Sequence, residues 1–117
     1  MNKTPDARAL HASSSVLDGH DDRLLQWISD SKIVAIASDN FAVEDARVSL
    51  PSDYRGPRLP LHHHCLFKLG LPLGELWYLT ELAKWLRMHN RNRFLLTAPP
   101  LRLTGAVGSP VTPIATV

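Results

Sequence analysis

At 117 residues, 44% of them apolar, the chain fits one small domain with a modest core, and its net charge of +2 is too small to imply a nucleic-acid partner by itself. The longest apolar run, Ile33 to Ala37, is far short of the roughly 20 residues a membrane span needs, and the charged stretch Met1 to Asp22 lacks the apolar centre of a secretory signal. Cys65 is the single cysteine, so no internal disulfide can form; a reducing, cytoplasmic setting is expected, with neither membrane nor nucleic acid as partner.

Residues 1–15 are polar, with Ser13, Ser14 and Ser15 in a row, and read as a poorly ordered lead-in. A first helix is expected from Asp21 to Ser31: Asp21 and Asp22 suit its positive end, and Leu24, Leu25 and Ile28 share one face. Ile33 to Ala37 reads as a short buried strand that stops at Ser38-Asp39-Asn40. From Glu44 to Pro60 the chain is rich in Pro, Gly, Asp and Arg without periodicity, and so long a connection is usually functional or disordered.

The segment Leu61 to Leu69 is read as extended, and Gly70 to Gly74 as a turn around Pro72. A second helix is expected from Glu75 or Leu76 to His89, with Leu79, Leu82, Ala83 and Leu86 as its buried stripe and Asn90 as its stop. Phe94 to Ala98 reads as another strand, ended by Pro99-Pro100, and the tail from Leu101 as a defined loop followed by a terminal extended segment. Helices alternating with short apolar strands make the expected fold class α/β.

Four groups of residues invite chemistry. His62, His63 and His64, with Glu75 downstream, offer the imidazoles and carboxylate that zinc or manganese prefers. On an extended segment His62 and His64 face one side and His63 the other, and Glu75 returns only if Gly70 to Gly74 reverses the chain. An exposed polar cluster is the competing reading. Gly105 to Pro110 is neither a nucleophile elbow nor a phosphate loop and reads as a structural turn. Arg87, His89, Arg91 and Arg93 beside Trp85 read as a solvated helix end rather than a phosphate site. Cys65, with no base beside it in sequence, reads as a small buried hydrophobe.

Several stretches together resemble the C-terminal half of the cyclase family, which includes bacterial kynurenine formamidases and isatin hydrolase. They are Leu17-Asp18-Gly19, Leu25-Gln26-Trp27-Ile28, Ala35 through Asp39-Asn40-Phe41-Ala42-Val43-Glu44, Pro60-Leu61-His62, Gly70 through Gly74-Glu75, and Ala98 through Ala115. The match runs in order over residues 16–117. The resemblance implies a partial swivelling β/β/α domain. It also implies hydrolysis of an amide such as N-formylkynurenine, of the kind met in tryptophan catabolism, by water activated on Zn or Mn. The family's late metal-binding histidine aligns with His62, with His63 next to it as the alternative, and the late acidic ligand aligns with Glu75.

The family's early His-x-Gly-Thr-His-x-Asp stretch is not in this sequence, and neither His11 nor His20 fits it. The chain is therefore expected to be truncated relative to the family, to hold an incomplete metal site, and not to be active by itself. With strands of the family fold missing, it should associate, either with itself or with a missing N-terminal half. The partner of a complete site would be a small-molecule amide. The alternative reading is a non-catalytic interaction module derived from the same fold.

Overall fold

A computed structural model describes residues 15–117, together with residues 6 and 9; most of the sequence-predicted lead-in, His11 included, lies outside the described residues. The chain divides into two compact units, Met1–Trp77 and Tyr78–Val117. No helix among the described residues is long and apolar enough to cross a membrane.

In the first unit, helix α1 (Asp22–Ser31) starts where the sequence places it. The Asp21 carboxylate accepts the Arg23 N–H at 2.9 Å, filling one of the vacancies that every helix start leaves among its amides. The helix ends at Lys32, whose φ of 54° turns the chain into the left-handed region. Its inner face buries Ile28 and packs Leu24 and Leu25 against the core, while Trp27 stays more than half exposed.

Strand β1 (Ile36–Ala37) pairs in parallel with β2 (Leu73–Gly74), Ile36 opposite Leu73 and Ala37 opposite Gly74. The expected buried strand over Ile33–Ala37 is thus shorter than its apolar run, and Val34 is 85% exposed. Among the described residues this sheet has two strands, and the paired Ile36 and Leu73 pack against the core.

The largest departure from the sequence reading is Leu61 to Leu69, which is helical rather than extended. Helix α2 (Pro60–His62) runs directly into a π-helix, His63–Leu69, which Gly70 closes at φ 65°, a conformation that favours glycine. The amide N–H groups of Gly70 and Leu71 both end on the Cys65 carbonyl. The core of the unit is Ile28, Val43, Leu61, Cys65 and Leu71, with Leu17, Ile33, Ile36 and Leu73 packed around it. Leu61 alone, fully buried, is worth about 1.5–3 kcal/mol of hydrophobic transfer.

In the second unit, helix α3 (Thr80–Met88) begins later than the expected Glu75 or Leu76, because Leu76 adopts φ 58° and interrupts the helix. Its periodic stripe of Leu82, Ala83 and Leu86 is half-buried rather than buried. Asn90 stops it at φ 48°, as its identity and position indicated. Strands β3 (Leu95–Thr97) and β4 (Ile114–Thr116) form an antiparallel pair. Between them Ser109 ties the glycine loop down: its hydroxyl accepts the Leu101 N–H at 2.8 Å and lies 2.8 Å from the Pro110 carbonyl. The Gly105 to Pro110 stretch is accordingly a structural turn.

Candidate functional site

The site of the first unit grows out of an accounting of helix-start amides. Helix α2 opens on Leu59, which supplies no side-chain cap, followed by Pro60, which has no N–H to satisfy. That leaves the amides of Leu61, His62 and His63. The His63 N–H reaches the Leu59 carbonyl at 3.0 Å. The other two are taken by one carboxylate from a distant part of the chain: Glu44 Oε1 accepts from Leu61 at 2.8 Å and Oε2 from His62 at 2.9 Å. A negative charge at this end also suits the helix dipole.

Glu44 is 2% exposed. It is held in place by a parallel bridge to Leu17, in which the Leu17 N–H meets the Val43 carbonyl and the Asp45 N–H meets the Leu17 carbonyl, both at 2.9 Å. The chain then passes the carboxylate at Gly19. A β-carbon on Gly19 would overlap Glu44 Oε1 and lie 2.7 Å from Cδ and 2.8 Å from the Leu61 amide nitrogen, so only glycine fits.

The same carboxylate reaches the His62 ring, with Oε2 2.8 Å from Nδ1. The other ring nitrogen, Nε2, faces Glu75 Oε1 at 3.5 Å. Glu75 is anchored in turn by the Val43 N–H, 3.1 Å from the same oxygen. His62 therefore stands between two acids, one buried and one a quarter exposed. Next to Glu75, Leu76 turns sharply at positive φ, its N–H on the Asn40 carbonyl at 3.1 Å.

The three consecutive histidines have three different surroundings, because a helix rotates each about 100° from the last. The structure brings His62 and Glu75 together. His63 stacks on Phe67 with ring centroids 5.2 Å apart, and His64 Nε2 lies 2.8 Å from Ser29 Oγ. This Ser–His contact is not a nucleophile pair. The Ser29 hydroxyl also lies 3.1 Å from the Leu25 carbonyl one helical turn back, a second acceptor within its reach, and no carboxylate contact to the His64 ring completes a triad among the hydrogen bonds of the described residues. Among the described residues no group of three or more His, Cys, Asp or Glu side chains is arranged to hold a metal ion.

Two residues at this corner escaped the sequence reading. Glu44 closed a matched stretch but looked like the start of a loop. The signal that could have found it is a helix opening on Leu59-Pro60 without a capping residue, which requires an acceptor from elsewhere. His20, next to Gly19, has both ring nitrogens buried without a hydrogen-bond partner among the described residues. Its Nδ1 is 3.7 Å from Asp18 Oδ1, and its ring lies 6.1 Å from that of Tyr54.

Other expected features resolve as structural. Cys65 is fully buried, and burial, helped by the Glu44 charge, pushes its thiol pKa up, which keeps it protonated and inert. In the second unit Trp85 stacks on His89 at 3.9 Å with Arg91 over its ring at 5.3 Å, so the basic cluster packs around a helix end.

No protein-family model and no curated protein matches the chain. A solved structure does: the crystal structure of a novel cyclase, 41% identical in sequence, superposes with a TM-score of 0.64. The match covers 80% of this chain and 28% of that one, so the chain spans little more than a quarter of the length of its structural neighbour. The stretches that meet around His62, from Leu17-Asp18-Gly19 through Glu44 and Pro60-Leu61-His62 to Glu75, are among those on which the resemblance was drawn, and over its matched length the chain is similar to a protein of the cyclase family.

Proposed function

We propose that this chain is the C-terminal part of a metal-dependent amide hydrolase with the swivelling β/β/α cyclase fold, acting on a formamide such as N-formylkynurenine. His62 and Glu75 are the two metal ligands it supplies. The observation that carries the reading is the separation of His62 Nε2 and Glu75 Oε1, 3.5 Å. Two ligands of one tetrahedral zinc, with bonds of about 2.0–2.2 Å, stand roughly 3.4 Å apart. That distance is longer than a good hydrogen bond and fits a shared cation.

His62 and Glu75 would hold a divalent cation there, which would supply Lewis acidity by lowering the pKa of a bound water and polarising the amide carbonyl. The chain's own residues orient the donors. Val43 fixes Glu75 through its amide, and Glu44 fixes the far side of His62. His63, the alternative ligand, is occupied by Phe67 in this arrangement. A catalytic metal needs at least three protein ligands, so the rest of the donor set comes from a polypeptide carrying the family's early His-x-Gly-Thr-His-x-Asp stretch.

The test is to isolate the native protein from its source with an antibody against residues 101–117 and assay N-formylkynurenine hydrolysis with and without a chelator. Metal-dependent cleavage, lost by a factor of a hundred or more in Glu75→Ala, supports the reading. Metal-independent cleavage, or none, contradicts it.

The second reading, an interaction module without catalysis, draws on the exposure of Trp27, Val34 and Phe67 at 59%, 85% and 79%. In that case Glu75→Ala leaves partner binding unchanged.

A further inference from the structure

We infer that Glu44 is a positioning residue that sets the tautomer of His62, turning the Nε2 lone pair toward Glu75 and holding the ring there before any metal arrives. This inference rests on the metal-ligand reading of His62 and adds to it a residue and a mechanism.

The argument is one of donors and acceptors. An ionised carboxylate offers only acceptors. Glu44 uses them on three donors: the Leu61 amide at 2.8 Å, the His62 amide at 2.9 Å and the His62 ring at 2.8 Å. The ring nitrogen in that third contact, Nδ1, must therefore carry the proton, which leaves Nε2 bare in the neutral ring. A free histidine side chain favours the opposite tautomer, with the proton on Nε2, so the selection is made by the protein.

The two amide bonds make the selection rigid. They fix the carboxylate against the backbone of the residue whose ring it orients, so Glu44 cannot follow the ring if it rotates. Gly19 lies close against the carboxylate, since a β-carbon there would overlap Oε1 and come within 2.7 Å of Cδ. Buried carboxylates that orient a ligating imidazole in this way raise its basicity, and losing one typically weakens metal binding 10–100-fold. Glu44 itself points its oxygens at the Leu61 and His62 amides and the His62 ring, so it acts through His62.

The experiment reads ring nitrogens directly. In the metal-free full chain, uniformly labelled with ¹⁵N, the chemical shifts and carbon couplings of the His62 ring report the tautomer at a pH where the ring is neutral. The expected result is Nδ1–H in the wild type. In Glu44→Ala the population reverts toward Nε2–H, and the apparent affinity for Mn²⁺ falls 10–100-fold. A wild-type His62 in the Nε2–H form, or a Glu44→Ala chain that keeps Nδ1–H, overturns the inference. The wild-type measurement decides the matter alone if the variant does not fold. Because the tautomer is read without metal, the two readings fail separately: Nδ1–H with no metal binding at His62 contradicts the proposed hydrolase and leaves the role of Glu44 standing.

Discussion

Replacing Gly19 by alanine adds one methyl group in the place where the structure has least room for it. The new β-carbon overlaps Glu44 Oε1 and comes within 2.8 Å of the Leu61 backbone nitrogen. Gly19 is not among the glycines at positive φ, so the cost comes from contact and not from backbone conformation. Overpacking a buried position costs about 1–3 kcal/mol. If the carboxylate gives way, at least one charge-assisted hydrogen bond goes with it, at about 1.5–3 kcal/mol. The sum is about 2.5–6 kcal/mol, and since 1.4 kcal/mol is tenfold, amide exchange at Leu61 and His62 should accelerate by roughly two to four powers of ten. Hydrogen–deuterium exchange of those two amides, read by NMR, is the assay. Gly108→Ala is the control, because nothing lies within 4 Å of its added carbon, and it should change stability by no more than about 0.5 kcal/mol. If Gly19→Ala leaves the Leu61 and His62 amides exchanging within threefold of the wild type, the account of Glu44 as a fixed remote cap is wrong.

Leu61→Ala should cost about 2–5 kcal/mol, read as a lowered urea midpoint, because the side chain is fully buried in a core that holds five buried apolar residues among the described ones. Cys65 should resist iodoacetamide at pH 8 in the native chain and react at the rate of a free thiol in urea, since burial raises its pKa and shields it. Asp21, whose carboxyl is lowered from the ordinary 3.8 by hydrogen bonds from the Arg23 side chain and amide, should titrate below that value by NMR. Because the folded pKa is the lower one, its contribution is present above the unfolded value and is lost as pH falls through the depressed one; Arg23→Ala should move the midpoint back up.

Much of this was legible in the sequence, and the parts that were not have physical reasons. Helix α1 carries its own instructions: an aspartate at the cap, an acid in the first turn and apolar residues at helical spacing, all within ten residues. Asn90 likewise announced the end of α3. The helix at Pro60–Leu69 was hidden because its start is stabilised from Glu44, sixteen residues before Pro60. Three adjacent histidines have no strong helix preference of their own, so nothing local opposed an extended reading. The strand at Ile33 was overread for the reverse reason. Its apolar run is genuine, but strand length depends on a neighbour, and β2 pairs with only Ile36 and Ala37.

The site was half legible. Residue types offered His62, His63 and His64 with Glu75 and did not choose among the histidines; the family resemblance favoured His62, with His63 as the alternative, and the fold sets His62 Nε2 3.5 Å from Glu75 Oε1. The alternation argument, which set His62 and His64 on one side, failed with the strand that it assumed. Glu44 could not be recognised from residue type, because its significance lies in three bonds to residues 17 and 18 positions later.

The most direct test of the central claim is a titration of the labelled chain with Mn²⁺, whose unpaired electrons broaden the resonances of nearby nuclei even when binding is weak. The account predicts that the His62 ring and the Glu75 side chain broaden first and together, ahead of His63, His64 and the exposed acids, and that Glu75→Ala abolishes the effect at His62. Broadening that begins at surface carboxylates and leaves His62 and Glu75 sharp would contradict it.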